Sequence, residues 1–403
     1  MSKLEELIQQ YCPDGVEYKK IKEVYQRIKG TPITAGKMKE IQCPDGEIRI
    51  FAGGKTVIDA NEADIPNANI TRVPAVLVQS RGVIDAIYYD KPFTFKNEMW
   101  AYTHKEQTSV KFLYYVMKQN IQHFRDAASG MGALPQISLG TTEDFVIPVP
   151  PLPVQEEIVR ILDNFAELQA ELQAELQKRL QQYEYYRDKL LSFSDLSNWG
   201  GQEVSVEWKK LEEIATDWYR GAGIKRDEVC EEGIPCIRYG EIHTTYNIWF
   251  DECVSHTDES KQPSKKYANN GDILFAITSE DIPFIGNSVA YIGENKIMVG
   301  GDIVVMKHNQ NPKYLSYALS TTDAVLQKGK GKVKSKVVHT NVPSLKEIVV
   351  PIPSLEEQER IATILDKFYA LTTDITAGLP AEIEARRKQY EYYRDKLLTF
   401  KQK

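Results

Sequence analysis

Residues 182–193 read QYEYYRDKLLSF, and residues 389–400 read QYEYYRDKLLTF. One position of the twelve differs, so the chain carries an internal duplication, and duplications of this kind govern architecture ahead of local propensity. The match extends towards the N-terminus. Residues 148–165 read PVPPLPVQEEIVRILDNF and residues 351–368 read PIPSLEEQERIATILDKF, at an offset of 203. The offset of the tyrosine-rich block is 207, so the second copy holds four extra residues between Phe368 and Gln389. That interval contains Gly378 and Pro380, which disfavour an unbroken helix. A weaker echo opens each half, VEYKKIKEV at 16–24 and VEWKKLEEI at 206–214. Between these markers the halves share little. Two like frames enclose two unlike contents.

The frame is helical. Ile158, Leu162, Phe165, Leu168, Leu172, Leu176, Leu180, Tyr183, Tyr186 and Leu190 recur at spacings of three and four, close to the coiled-coil period. No proline or glycine falls within 155–193, and one helix of that length would extend roughly 60 Å. The PVPPLP run before it gives an extended lead and a sharp start. The second copy keeps the stripe at Ile361, Leu365, Phe368, Leu371, Ile375, Leu379, Ile383, Tyr390, Tyr393 and Leu397. Its four extra residues are close to one turn, to be absorbed as a stutter or as a kink at Gly378 and Pro380.

An antiparallel pair of such helices would hold two domains at opposite ends with pseudo-two-fold symmetry. The expected class is therefore α+β, with two mixed α/β domains joined by two long antiparallel coiled-coil helices. The expected divisions are 1–150, a first variable domain; 151–195, a central helix; 196–353, a second variable domain; and 354–403, a C-terminal helix. Cores tolerate hydrophobic swaps, so the near-identity of QYEYYRDKLL exceeds what packing demands. It predicts a surface shown twice to two copies of one partner. Tyr185, Tyr186, Arg187 and Asp188, with Tyr392, Tyr393, Arg394 and Asp395, are the candidate residues, since tyrosine and arginine anchor interfaces well.

The variable segments, 16–149 and 206–352, mix strand-like and helix-like runs. EIRIFAG, AVLVQS and VIDAIYY read as strands in the first and SVKFLYYVMKQNIQHF as a helix; DILFAIT, NSVAYIG, GDIVVMK and PKYLSYALS are their counterparts in the second. A hairpin tip falls at Gln79, Ser80, Arg81 and Gly82, and a similar tip at Thr278 and Ser279. QKGKGKVKSKVVH places Lys328, Lys330, Lys332, Lys334 and Lys336 at every second position, so an extended backbone would aim five ammonium groups to one side. Glycines at 329 and 331 permit close backbone approach. A ladder this dense in an acidic chain favours phosphate contact over a solvated linker. Lys55, Arg72, Arg238 and Tyr239 complete the candidate DNA-binding set.

Bulk properties set limits. A chain of 403 residues exceeds one ordinary core. Its 42% hydrophobic and 27% charged content is that of a soluble globular protein. The net charge of −7 rules out a uniformly basic surface, so any nucleic-acid contact must come from local clusters. Five cysteines without a CxxC pair argue against a disulfide framework or structural zinc and for a reducing cytoplasm. No apolar run reaches membrane-spanning length and the N-terminus has no signal-like apolar segment, so no membrane partner is expected. Catalytic patterns are missing too. There is no (D/N)PP(Y/F) and no HExxH. FAGGKT at 51–56 fails as a phosphate loop because Arg49 stands where its first glycine belongs. His243 and His256 read as surface or structural residues. The expectation is a chain with no catalytic residue, no metal and no cofactor of its own.

Two unlike domains, each closed by PLPVQEEIVRILD or PSLEEQERIATILD and then YEYYRDKLL, resemble the specificity subunits of type I restriction–modification systems. GIPCIRYGEI, GDILFAIT and SGMGALPQISLGTTEDFVIPVP add weaker likeness; in the last place the second half departs, with KGKGKVKSKVVHTNVPSLKEIVVPIP. The resemblance implies that each variable domain reads half of a bipartite double-stranded DNA target and that the helices measure the gap. It also implies docking of two DNA methyltransferase subunits and a restriction–translocase subunit, with S-adenosylmethionine and ATP held by those partners. A spacer of roughly 60 Å exceeds one duplex turn of about 34 Å, in keeping with this. The rival readings are a coiled-coil scaffold with no DNA role and an enzyme with an unrecognised site.

Overall fold

Proline donates no ladder hydrogen bond, so a strand that carries one belongs at a sheet edge. Val146–Val149 and Val349–Ile352 each contain a proline, and in the computed structural model each has a single partner. Val146–Val149 runs antiparallel to Glu17–Lys20, and Val349–Ile352 to Glu207–Lys210. The structure describes residues 2–54, 56–129, 134–194, 205–330, 337–373 and 378–403, without the side chains of 372 and 373.

The echo that opens each half is one motif built twice. A short helix follows each ribbon, Ile21–Val24 in one case and Leu211–Ile214 in the other. The carboxylate of Glu23 accepts the Lys20 N–H at 3.0 Å, and that of Glu213 accepts the Lys210 N–H at 2.8 Å. The Ile21 N–H donates to the Phe145 carbonyl at 3.0 Å, and the Leu211 N–H to the Ile348 carbonyl at 2.9 Å. Orphan donors at both helix starts are satisfied in the same way.

Contacts divide the chain into two units, Met1–Gln173 with Glu382–Lys403, and Ala174–Ala381. The central helix, Leu152–Ser192, is continuous over 41 residues and gives its first half to one unit and its second half to the other. The second copy is two helices, Leu355–Thr373 and Gly378–Leu397. Gly378 opens the latter with φ of 70°, a left-handed conformation that a side chain resists. Gly378 lies in the interval that holds the four extra residues; 374–377, Ile375 among them, lie outside the described residues.

The first unit has a four-stranded antiparallel sheet in the order Gln26–Lys29, Trp100–Thr103, Ala75–Gln79, Asp85–Tyr89. A three-stranded sheet orders Val57–Ala60, Ile48–Phe51, Phe93–Phe95. Ala75–Gln79 is buried throughout, as its unbroken apolar run requires of a central strand. The helix Gln107–Gln119 buries Val110, Phe112, Leu113 and Val116 in a core that continues into Val154, Ile158 and Leu162 of the central helix and Leu398 beyond the last. Phe165 stacks on Tyr393 at 5.6 Å between ring centres. The chain's end is stitched to its start: the Val16 N–H donates to the Lys401 carbonyl at 2.9 Å and the Lys403 N–H to the Val16 carbonyl at 3.0 Å.

The second unit holds two five-stranded sheets. One orders Ala215–Arg220, Ile303–His308, Ile273–Ala276, Ser288–Tyr291, Trp249–Phe250; the other orders Val229–Cys230, Ser255–Thr257, Ile234–Ile237, Ile297–Val299, Tyr267–Ala268. Ile237, Leu274, Val289, Val299 and Val305 form a core cluster shared by residues of both. A second cluster joins Phe275, Met306 and Leu315 to Tyr183 and Leu191 of the central helix and to Ile361 and Leu365 of Leu355–Thr373. Tyr186 stacks on Phe368 at 6.3 Å and Tyr183 tilts against Tyr369 at 6.0 Å. In each unit, then, one half of the central helix packs against one of the two later helices, and the mixed α+β class with its long central helix is the one expected. Among the described residues no helix is long and apolar enough to cross a membrane.

Candidate functional site

A small ionic knot ties a shorter helix, Gln107–Gln119 in one unit and Pro312–Ser320 in the other, to one of the repeated long helices. In the first, Asp163 on the central helix accepts from Lys111 Nζ and Tyr115 Oη, each at 2.6 Å. In the second, Asp366 accepts from Lys313 Nζ and Tyr317 Oη at 2.7 Å each, and from Trp249 Nε1 at 3.0 Å. Lys and Tyr stand four apart on one helix face, so both reach the same carboxylate. Burial, reinforced by the neighbouring aspartate, pushes the phenols of Tyr115 and Tyr317 far above their ordinary range, so both remain donors. The knot was legible only as a Lys-x-x-x-Tyr spacing at 111/115 and 313/317, one residue out of step with the 163/366 aspartates.

The first hairpin tip falls where expected, but most of it faces inwards. Ser80 is fully buried and donates its hydroxyl to the Glu98 carbonyl; Gln79 is buried and its Nε2 donates to the Gly54 carbonyl at 2.5 Å. Arg81 is exposed and forms no salt bridge among the described residues. Arg72 is paired with Glu62 at 2.5 Å. Lys55 lies outside the described residues.

The second unit differs more from expectation. Thr278 and Ser279 are buried, in a two-stranded pairing with Val338–His339 that includes a 3.2 Å contact from Thr278 Oγ1 to His339 Nδ1. Lys328 is in a helix, Thr322–Gly329, and not on an extended ladder. Its Nζ is buried and donates to the Leu319 carbonyl at 2.8 Å and to Ser288 Oγ at 3.2 Å. Desolvation lowers this amine to about 7, and in this position it cannot meet a phosphate. Lys330 is exposed just after that helix; Lys332, Lys334 and Lys336 lie outside the described residues. Arg238 and Tyr239 line a cavity of about 750 Å3 that also takes in Arg220 and Arg226, which the sequence reading did not single out.

The repeated helix ends present similar faces in the two units. Tyr185 and Tyr392 are 60% and 62% exposed. Arg187 is buried, held by Asp188 at 2.7 Å and lying over the Tyr183 ring at 5.8 Å; Arg394 pairs with Asp395 at 2.8 Å and lies over Tyr390 at 5.8 Å. The arginines thus brace the helix, and Tyr185 and Tyr392 stay available on the surface, while Tyr186 and Tyr393 are partly covered by Phe368 and Phe165. Asp188 also accepts the Thr322 N–H at 3.2 Å. Among the described residues, no trio of histidine, cysteine, aspartate or glutamate is grouped to hold a metal.

A family model described as the type I restriction modification DNA specificity domain matches residues 13–182 and again residues 203–385. The chain belongs to that family. It is a DNA-recognition subunit of the type I restriction–modification kind, with two target-recognition domains and a non-catalytic role. A type I restriction enzyme specificity subunit of Escherichia coli is 34% identical over 73% of this chain and 72% of its own length. A putative type I specificity subunit of Haemophilus influenzae is 34% identical over 75% of this chain and 77% of its own. In fold, the chain is similar to the crystal structure of the S subunit from M. genitalium, with a TM-score of 0.50 at 17% identity over 96% of both chains. A structure from work on complex assembly and conformational transition of a type I system gives a TM-score of 0.54 at 16% identity, over 96% of this chain and 98% of that one.

Proposed function

We propose that each unit reads one half of a bipartite, asymmetric DNA target, that the long helices set the gap between the halves, and that the repeated YEYYRDKL faces dock two methyltransferase subunits. A restriction–translocase subunit would complete the assembly, and S-adenosylmethionine and ATP would be held by the partners. The observation that carries this reading is the pairing of like frames with unlike contents. Both units use the same knot, at Asp163 and Asp366, and the same tyrosine face, while the sheets they carry differ in strand number and order. Like faces fit like partners, and unlike sheets fit unlike half-sites. A helix of 41 residues is about 60 Å long, against about 34 Å for a duplex turn.

The test is an exchange of residues 16–149 for the matching segment of a relative, followed by mapping of methylated positions in a host expressing the complete enzyme. One half-site changes and the other is retained. A change in both halves would refute the division of labour. Inserting four residues within 155–193 alters the gap and leaves both half-sites intact; an unaltered gap refutes the ruler.

A further inference from the structure

The cavity around Arg238 lies within the second unit. Its floor is glycine backbone from two loops distant in sequence. A Cβ on Gly221 would strike the Gly300 carbonyl, and one on Gly301 would press on Gly223 at 3.3 Å, so the loops cross at a separation that only glycine allows. Three arginines stand around this floor. Arg220 is fixed by Asp302 at 2.6 Å and by the Gly301 carbonyl. Arg238 is fixed by Glu241 at 3.3 Å, and its Nε is buried with no hydrogen-bond partner. Glu241 is itself saturated, accepting from Ser255 Oγ at 2.6 Å and from the Arg238 N–H at 2.9 Å. Arg226 is exposed and pairs with no carboxylate among the described residues.

Two of the three cations are thus neutralised in place, and the third makes no ion pair among the described residues. A second cavity of about 450 Å3 shares Tyr239, Gly240 and Thr244 with the first and extends the groove to Phe284. Tyr239 and Phe284 are 39% and 53% exposed. The groove therefore offers a fork of donors beside flat apolar faces over a backbone floor. A phosphate would satisfy the donors but makes no use of the rings. The edge of a guanine, with two acceptors spaced for a guanidinium, uses both.

Resting on the reading that the second unit reads DNA, we infer that this groove is where it does so, with Arg226 donating to a guanine edge and Tyr239 packing beside it. The test uses the complete methyltransferase carrying Arg226→Ala, Arg226→Lys or Gly223→Glu, and measures equilibrium binding to the cognate duplex. Duplexes altered at each G–C pair of the second half-site are measured alongside, over a range of salt. Arg226→Ala weakens cognate binding by about 10- to 100-fold and loses discrimination at one G–C pair. Arg226→Lys keeps the charge without the fork and does not restore discrimination. Gly223 has no atom within 4 Å of an added Cβ, so Gly223→Glu leaves the fold intact while placing a carboxylate in the groove, and it weakens binding to every duplex. Thermal unfolding confirms that each variant is folded. A uniform loss for all sequences with Arg226→Ala, and a salt slope shallower by about one, overturns the guanine assignment in favour of phosphate. Unchanged binding in both Arg226→Ala and Gly223→Glu overturns the groove. If exchanging residues 206–352 still rewrites the second half-site in that case, the functional reading stands without the groove; if it does not, the functional reading falls.

Discussion

Removing the Asp366 carboxylate strands three donors at once. Lys313 Nζ, Tyr317 Oη and Trp249 Nε1 all converge on it within 3.0 Å, and Tyr317 is wholly buried. In Asp366→Ala, Tyr317 and Trp249 lose their acceptor in a region where water reaches poorly. A buried donor left unsatisfied costs about 1–3 kcal/mol. The lysine is about a quarter exposed, 28% by side chain, and recovers part of its loss by hydration, so it adds little. The expected destabilisation is about 3 kcal/mol, within the range for breaking a partly buried charged network. For a unit of this size that is a fall in melting temperature of about 6–12 °C. Asp366→Asn retains an acceptor oxygen and costs about 1 kcal/mol. The first unit supplies an internal comparison, because Asp163 holds two donors and not three. Differential scanning calorimetry of Asp366→Ala, Asp366→Asn and Asp163→Ala in the full chain tests this ordering. A fall in Asp366→Ala no greater than in Asp366→Asn would refute the argument that stranded donors carry the cost.

Two further outcomes follow from the described side chains. Lys328 has its amine lowered to about 7 in the fold against 10.5 in the open chain, so the folded state binds fewer protons in that interval. Stability therefore rises as pH increases from 7 towards 10, by about 4 kcal/mol at most, and is flat below 7. Lys328→Met removes the rise, and guanidinium titrations at pH 7 and pH 9.5 give wild-type and variant curves that converge; curves that run parallel would discard the assignment. Tyr185→Ala and Tyr392→Ala truncate exposed rings, so each leaves melting unchanged while weakening capture of one methyltransferase subunit by about tenfold or more. Calorimetric titration reads this as two like sites becoming two of unequal affinity, and two undiminished sites in the double variant would remove these tyrosines from the docking face.

The long helices were legible because their signal is periodic and local. Ile158 and Leu162 at one end and Leu190 at the other obey a spacing that needs no knowledge of the rest of the fold. Strand positions around Ala75–Gln79 and Ile273–Ala276 were legible for the same reason. Side-chain direction at the tips was not. Gln79 and Ser80 turn inwards because the Gly54 and Glu98 carbonyls, distant in sequence, accept from them. The lysine alternation suits an extended backbone, yet its first member, Lys328, lies in a helix that Thr321 caps by accepting the Ala324 N–H at 3.3 Å. Ala324 and Lys328, four apart, then share its buried face. Propensity alone does not separate those outcomes, since tertiary burial decides them. Arg220 and Arg226 escaped notice because their common floor joins residues 221–223 to 300–301, a juxtaposition made only by the sheet.

Stability and recognition are carried by different kinds of residue in this chain. Asp163 and Asp366 sit in knots where every donor has one acceptor, so substitution there is felt by the whole unit. Arg226 and the open side of Gly223 face the groove: one makes no ion pair among the described residues, and an added Cβ on the other meets no atom within 4 Å. A change of groove residue therefore alters what is bound at little cost in folding, whereas a change in the knot alters folding with no new contact to offer. The repeated frame holds its sequence nearly letter for letter between 182–193 and 389–400, while the grooves between the frames have no such counterpart. That difference is what a recognition subunit requires if its target is to vary while its partners stay the same.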